Sequence, residues 1–137
     1  MKNLLFLFVF AFVFVSCGNR GLSDGHYAQN SLSYGGVYEG VIPCADCPGI
    51  DLVITLDYKG NYTKKMTYQD KEPENVFSTS GKFKWDSTGT VITLTGKADG
   101  EKFKVVEGAI IMLDAKGQMI SGPTAGMYRI KQTKMQE

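Results

Sequence analysis

The chain has 137 residues, with 15 Lys and Arg, 14 Asp and Glu and a formal charge of +1. That length supports one domain and hardly two. A near-neutral chain with dispersed lysines argues against nucleic-acid binding, because electrostatics supplies most of that affinity.

The chain opens Met-Lys-Asn, and twelve consecutive apolar residues, Leu4 to Val15, then lead into Ser16-Cys17-Gly18. A basic start, a short apolar stretch and a small residue before the cut make a signal peptide, expected over 1–16. The run is too short for a membrane span, which takes roughly 20 apolar residues. Val15-Ser16-Cys17 resembles the lipobox of bacterial lipoproteins. The resemblance implies that Cys17 is diacylated, becomes the mature N-terminus and anchors the protein to a membrane. Two acyl chains, at ~0.8 kcal/mol per buried methylene, give stable attachment where one does not. Gly18 is no retention aspartate, which by resemblance to enterobacterial sorting points to the outer membrane. Residues 17–34 then read as the lipidated N-terminus and a flexible Gly/Ser/Asn-rich tether. The tether holds the single histidine, His26, as a solvated residue.

From Gly36 onward the pattern is short strands between turn residues. Strands are expected over Gly36–Ile42, Asp51–Asp57, Tyr62–Gln69, Val76–Trp85, Val91–Thr95, Lys102–Glu107, Ala109–Asp114 and Met127–Lys131. Leu52, Ile54 and Leu56 alternate with polar residues, as do Phe77, Phe83 and Trp85. Lys59-Gly60-Asn61, Ser87-Thr88-Gly89 and Ala115-Lys116-Gly117 are turn signals. About eight strands with short connections and no helical periodicity predict an all-β fold. The simplest form is an antiparallel meander closed into a small barrel over 35–133, with a C-terminal tail over 134–137. The expected interior comprises Tyr38, Leu52, Ile54, Leu56, Met66, Phe77, Phe83, Trp85, Ile92, Leu94, Phe103, Val105 and Leu113.

The densest chemistry is Pro43-Cys44-Ala45-Asp46-Cys47-Pro48-Gly49. In an extended strand the two cysteines would lie roughly 10 Å apart, whereas a disulfide needs ~4.4–6.8 Å between Cα atoms. A turn is therefore required. Pro43 and Pro48 fix φ at its edges, and Gly49 permits a positive φ at the exit. Three chemistries compete for Cys44 and Cys47. One is a structural or sensing disulfide, worth only ~2 kcal/mol for so short a loop. Another is a soft thiolate pair for Cu(I). The third is thiol–disulfide exchange, which usually places such a pair at a helix start, and no helix follows here. With Cys17 committed to lipid, Cys44 and Cys47 remain as an isolated pair.

The string Gly36-Val37-Tyr38-Glu39-Gly40-Val41-Ile42-Pro43-Cys44-Ala45-Asp46-Cys47-Pro48-Gly49-Ile50 resembles the signature of the NlpE family. Gly81-Lys82-Phe83-Lys84-Trp85 and Leu113-Asp114-Ala115-Lys116-Gly117 also fit that family's N-terminal domain. The resemblance implies a lipocalin-like β-barrel and attachment to the outer membrane of a Gram-negative cell. It also implies copper homeostasis or envelope-stress signalling, an envelope protein partner and a metal role for Cys44 and Cys47. Some members carry a second, OB-type domain with its own cysteine pair; none is expected within this sequence.

The expected function is therefore a copper- or redox-responsive lipoprotein centred on Cys44 and Cys47, with copper as Cu(I) the one cofactor considered. Met66, Met112, Met119, Met127 and Met135 are unclustered and read as fillers rather than thioether ligands. The alternative is a carrier of a small apolar ligand, with Tyr38 and Trp85 lining an interior pocket. No enzyme is expected. One histidine supplies no catalytic triad, there is no phosphate-binding Gly-rich loop, and Glu39 and Asp46 are single carboxylates.

Overall fold

The computed structural model describes residues 27–137 apart from 72, 74 and 99. The signal peptide, Cys17 and His26 lie outside the described residues. Among those described, no helix is long and apolar enough to cross a membrane.

Eight strands form one closed antiparallel barrel in strict sequence order. They are β1 (Gly36–Ile42), β2 (Ile50–Leu56), β3 (Asn61–Tyr68) and β4 (Val76–Trp85), then β5 (Val91–Leu94), β6 (Lys102–Val106), β7 (Ala109–Met112) and β8 (Arg129–Met135). The seam pairs β1 with β8, Gly36 opposite Met135 and Glu39 opposite Lys131, with a register shift between Val37 and Tyr38. Strand β8 runs on to Met135, so the first half of the expected tail, Lys134 and Met135, belongs to a closing strand.

Period-two alternation fills the interior. Leu52, Ile54 and Leu56 of β2 are fully buried, as are Ile92, Leu94 and Phe103. Tyr38 is buried as expected, and its hydroxyl donates to the Tyr34 carbonyl at 2.6 Å. Ile110 and Ile130 are also fully buried but were not among the expected core. The unbroken apolar run Ala109–Met112 hides alternation, and Ile130 is a lone apolar residue between Arg129 and Lys131. Three turns share an Asp-x-x-Gly form: Asp57–Gly60, Asp86–Gly89 and Asp114–Gly117. In the first, Asp57 Oδ1 accepts the Lys59 and Asn61 backbone N–H groups at 2.8 and 2.7 Å. Asp114 does the same for Lys116 and Gln118 at 2.9 and 2.8 Å. A side chain that satisfies the turn's own donors specifies a hairpin without a long-range contact.

The two ends of the barrel differ. An antiparallel meander puts the β1–β2, β3–β4, β5–β6 and β7–β8 connections at one end and the remaining turns at the other. The second end is plugged. Tyr34 makes edge-to-face contacts with Tyr58 and Trp85, both at 5.0 Å, and with Phe83 at 6.2 Å. The segment expected to be a free tether is folded here in its described part. Helix α1 (Ala28–Ser31) buries Ala28, and Gln29 N–H donates to Gly89 at 3.0 Å. The chain thus enters at the plugged end.

Phe77 corrects the expected core. It lies 53% exposed, although its alternation with Phe83 is right. Strand β5 pairs only with Phe83–Trp85, so among the described residues the first half of β4 has β3 on one side and no strand on the other. Trp85 and Met66 are only half-buried for related reasons of position near the barrel ends.

Candidate functional site

The open end carries the cysteine loop. Ile42 pairs with Ile50, so residues 43–49 form the whole link between two adjacent strands. Cys44 and Cys47 are joined as a disulfide with their Cα atoms 5.3 Å apart, which is the turn expected between the two prolines. Gly49 does not use the positive φ that a glycine permits. Its role is close approach: a Cβ there would lie 2.6 Å from Val41 Cγ1. Its carbonyl accepts the Gln69 N–H at 3.0 Å, which ties the loop exit to the end of β3.

Both cysteines are half-buried and pack on the edge of the core, while Asp46 between them is exposed. The ligand-capable atoms of Cys44, Asp46 and Cys47 all lie within 4.8 Å of one another. Cys44 Sγ approaches Asp46 Oδ1 at 3.6 Å and Cys47 Sγ approaches the Gly49 carbonyl at 3.3 Å. In the disulfide these sulfurs carry no proton, so both are contacts rather than hydrogen bonds. The methionines do not converge on this loop as a set: Met66 lies in a neighbouring cleft wall, and Met135 pairs with Gly36 at the plugged end.

Asp46 Oδ2 also accepts from Lys71 Nζ at 2.7 Å, which joins the β1–β2 and β3–β4 connections. This hydrogen bond, followed by the lysine's charge, holds the Asp46 carboxyl below the usual carboxylate range. A lowered folded-state pKa stabilises above the unfolded value, and that contribution is lost as pH falls through the folded value. Lys71→Met is expected to return Asp46 to ordinary carboxyl titration, read by carboxyl-carbon NMR. An unchanged titration in the variant would show that the ion pair is not the cause.

Next to the loop a cleft of about 500 Å³ opens at the same mouth. Asp46 and Lys71 are on its rim, and Met66, Tyr68 and Phe77 make its apolar wall. Deeper in lies Lys64, only 4% exposed, its Nζ 2.5 Å from Glu101 Oε1. Of these residues, sequence alternation places Met66 and Tyr68 on one face of β3 and Phe77 on the inner face of β4, and Asp46 lies in the cysteine motif; Lys64, Lys71 and Glu101 carry no such signal of a shared site. Alternation with Tyr62 and Met66 was the available signal that Lys64 points inward. Its partner, 37 residues away, was not foreseeable. Neither Tyr38 nor Trp85 lines any of the four described clefts.

The comparisons with known proteins agree with this geometry. The family model described as the NlpE N-terminal domain matches residues 38–123, which include the cysteine loop. Lipoprotein NlpE of Escherichia coli (strain K12) is 27% identical over 114 residues, covering 80% of this chain and 48% of that protein. The chain thus spans about half the length of this curated relative. A crystal structure of a protein from Shewanella oneidensis is 42% identical, with a TM-score of 0.73, covering 81% of this chain and 99% of that one. The crystal structure of the Cpx pathway activator NlpE from Escherichia coli is 27% identical, with a TM-score of 0.55. It covers 64% of this chain and 46% of that one. The family model spans more than half of the sequence, and the chain belongs to the NlpE family through its N-terminal domain.

Proposed function

We propose that the protein is a cell-envelope lipoprotein, anchored through Cys17 to the outer membrane, that reports copper or redox state through Cys44 and Cys47. The observation that carries this reading is the position of the pair. Two sulfurs and a carboxylate converge on one Pro-flanked loop at the barrel mouth, opposite the end where the chain enters. Strands of this length set that mouth about 20 Å beyond the entry point. A tethered barrel then presents its cysteines away from the lipid, toward solutes and an envelope protein partner.

The donor set fits copper only in its reduced form. Reduction takes two electrons and two protons from a dithiol reductant and gives two thiols. On losing their protons, the Cys44 and Cys47 thiolates would hold Cu(I) between them. Soft thiolates favour Cu(I), while a single pair does not complete a tetrahedral zinc site. The loop is poorly built for redox catalysis. Among the described residues no helix follows Cys47, only strand β2, and the Asp46 carboxylate beside Cys44 disfavours a thiolate. These features support a binding or sensing role rather than an enzyme.

The test is titration of the protein with Cu(I) against a competing chelator, with and without prior reduction by a phosphine. One tightly held ion per reduced chain is expected, with roughly a hundredfold or greater loss in Cys44→Ser, since a lone thiolate cannot bridge the ion. Equal binding by the oxidised protein, or by the variant, would refute the assignment.

A further inference from the structure

We infer that the mouth cleft is a binding site for a neutral amphiphile whose head both donates and accepts hydrogen bonds, such as a hydroxyl or primary amide on an alkyl chain. The inference is independent of the chemistry of Cys44 and Cys47.

The inner face of β3 and β4 is two-toned. Lys64 stands directly opposite Thr79 in the ladder, and Met66 stands opposite Phe77. Tyr68 meets Phe77 edge-to-face at 5.5 Å. The result is an apolar strip, Met66–Phe77–Tyr68, running from solvent to a polar floor, Lys64–Thr79, with Glu101 closing from the β5–β6 connection. Phe77 is 53% exposed on this strip, a large ring standing out of the core beside an open cleft.

The floor is unsatisfied. Thr79 Oγ1 and Glu101 Oε2 are both buried with no hydrogen-bond partner. Buried polar atoms are nearly always paired, and two orphans flanking one buried lysine call for a shared partner. They specify its chemistry. Glu101 Oε2 needs a donor, Thr79 Oγ1 can give or take, and Lys64 has N–H groups beyond the one directed at Glu101. An anionic head would be placed against the Glu101 carboxylate and a cationic one against Lys64. A neutral hydroxyl or amide satisfies both orphans without unbalancing the Lys64–Glu101 pair. The atoms are out of solvent contact, so entry requires a rotamer change of the long side chains over the floor, a fast motion. The cleft volume, about 500 Å³, suits a short alkyl chain lying on the aromatic strip.

The experiment titrates the protein, labelled at its methionine methyls, with decanol, decanoate and decyltrimethylammonium, each below its aggregation threshold. The Met66 methyl signal is expected to shift saturably with decanol, at roughly tenfold higher affinity than with either charged probe. Thr79→Val keeps the side-chain shape and removes the hydroxyl. It is expected to weaken decanol binding roughly fivefold while the other methyl signals stay in place. Decanoate or the cation binding as tightly as decanol would overturn the proposal. So would equal binding by Thr79→Val, which means that water alone satisfies the floor, or the absence of any Met66 shift.

Discussion

Replacing Gly36 with alanine is expected to destabilise the protein by about 3 kcal/mol, at the seam where the barrel closes. Gly36 has φ of +148°, and a Cβ there would lie 2.0 Å from the Lys134 carbonyl oxygen of β8. That atom is backbone, so relief requires moving a strand and not merely a side chain. The seam holds Gly36 opposite Met135 immediately before the register shift at Val37/Tyr38. Just beyond it, Gln136 N–H donates to the Gly35 carbonyl at 2.9 Å. Pushing β8 away therefore exposes two strand edges that closure had removed. Urea unfolding should show a lower midpoint in Gly36→Ala. Gly126→Ala is the control, because nothing lies within 4 Å of its added methyl. It should stay within about 0.5 kcal/mol of the parent. Equal losses in the two variants would mean that the seam is not under this steric constraint.

Removing Glu101 is expected to cost nearly as much, and asymmetrically. Lys64 is 4% exposed and Glu101 accepts its ammonium from a position about a third exposed. Deleting one partner of a buried pair leaves an uncompensated charge, which costs 3–5 kcal/mol in fully buried cases. Partial exposure of the carboxylate lets water reach the gap, so about 2 kcal/mol is expected for Glu101→Ala. The double variant Lys64→Met/Glu101→Leu removes both charges and should recover most of that loss, because apolar replacement of a pair is often neutral. Urea denaturation of the single and double variants is the measurement. A double variant no better than Glu101→Ala would show that the charge left on Lys64 is not the source of the loss.

The strand pattern and the cysteine motif were legible because both are local. Alternation in Asp51–Asp57 and the turn residues at Asp57–Gly60 depend on side chains within one hairpin. The prolines around Cys44 and Cys47 restrict the backbone locally, and the turn between them places the pair within disulfide reach. Phe77 shows where the local rule stops. Its alternation with Phe83 gives the correct face, yet whether that face is covered depends on where β5 begins and ends. Lys64 is the same case in reverse. A lysine reads as solvated, and its burial becomes tolerable only because Glu101 arrives from another connection at 2.5 Å.

The sequence by itself determined an all-β meander, the turn that brings Cys44 to Cys47, and the family motif around them. Those depend on backbone restriction by proline, on side-chain hydrogen bonds within turns and on period-two hydrophobicity, all short-range effects. The tertiary structure alone decided that the chain enters at the end plugged by Tyr34 and Trp85, with the cysteines at the opposite mouth. It also decided that the described part of the expected tether, 27–34, packs on the barrel, and that a cleft with an unsatisfied polar floor lies beside the cysteine loop. These depend on which strands close the barrel and in what register. That is a property of the whole sheet, which no segment of the sequence carries by itself.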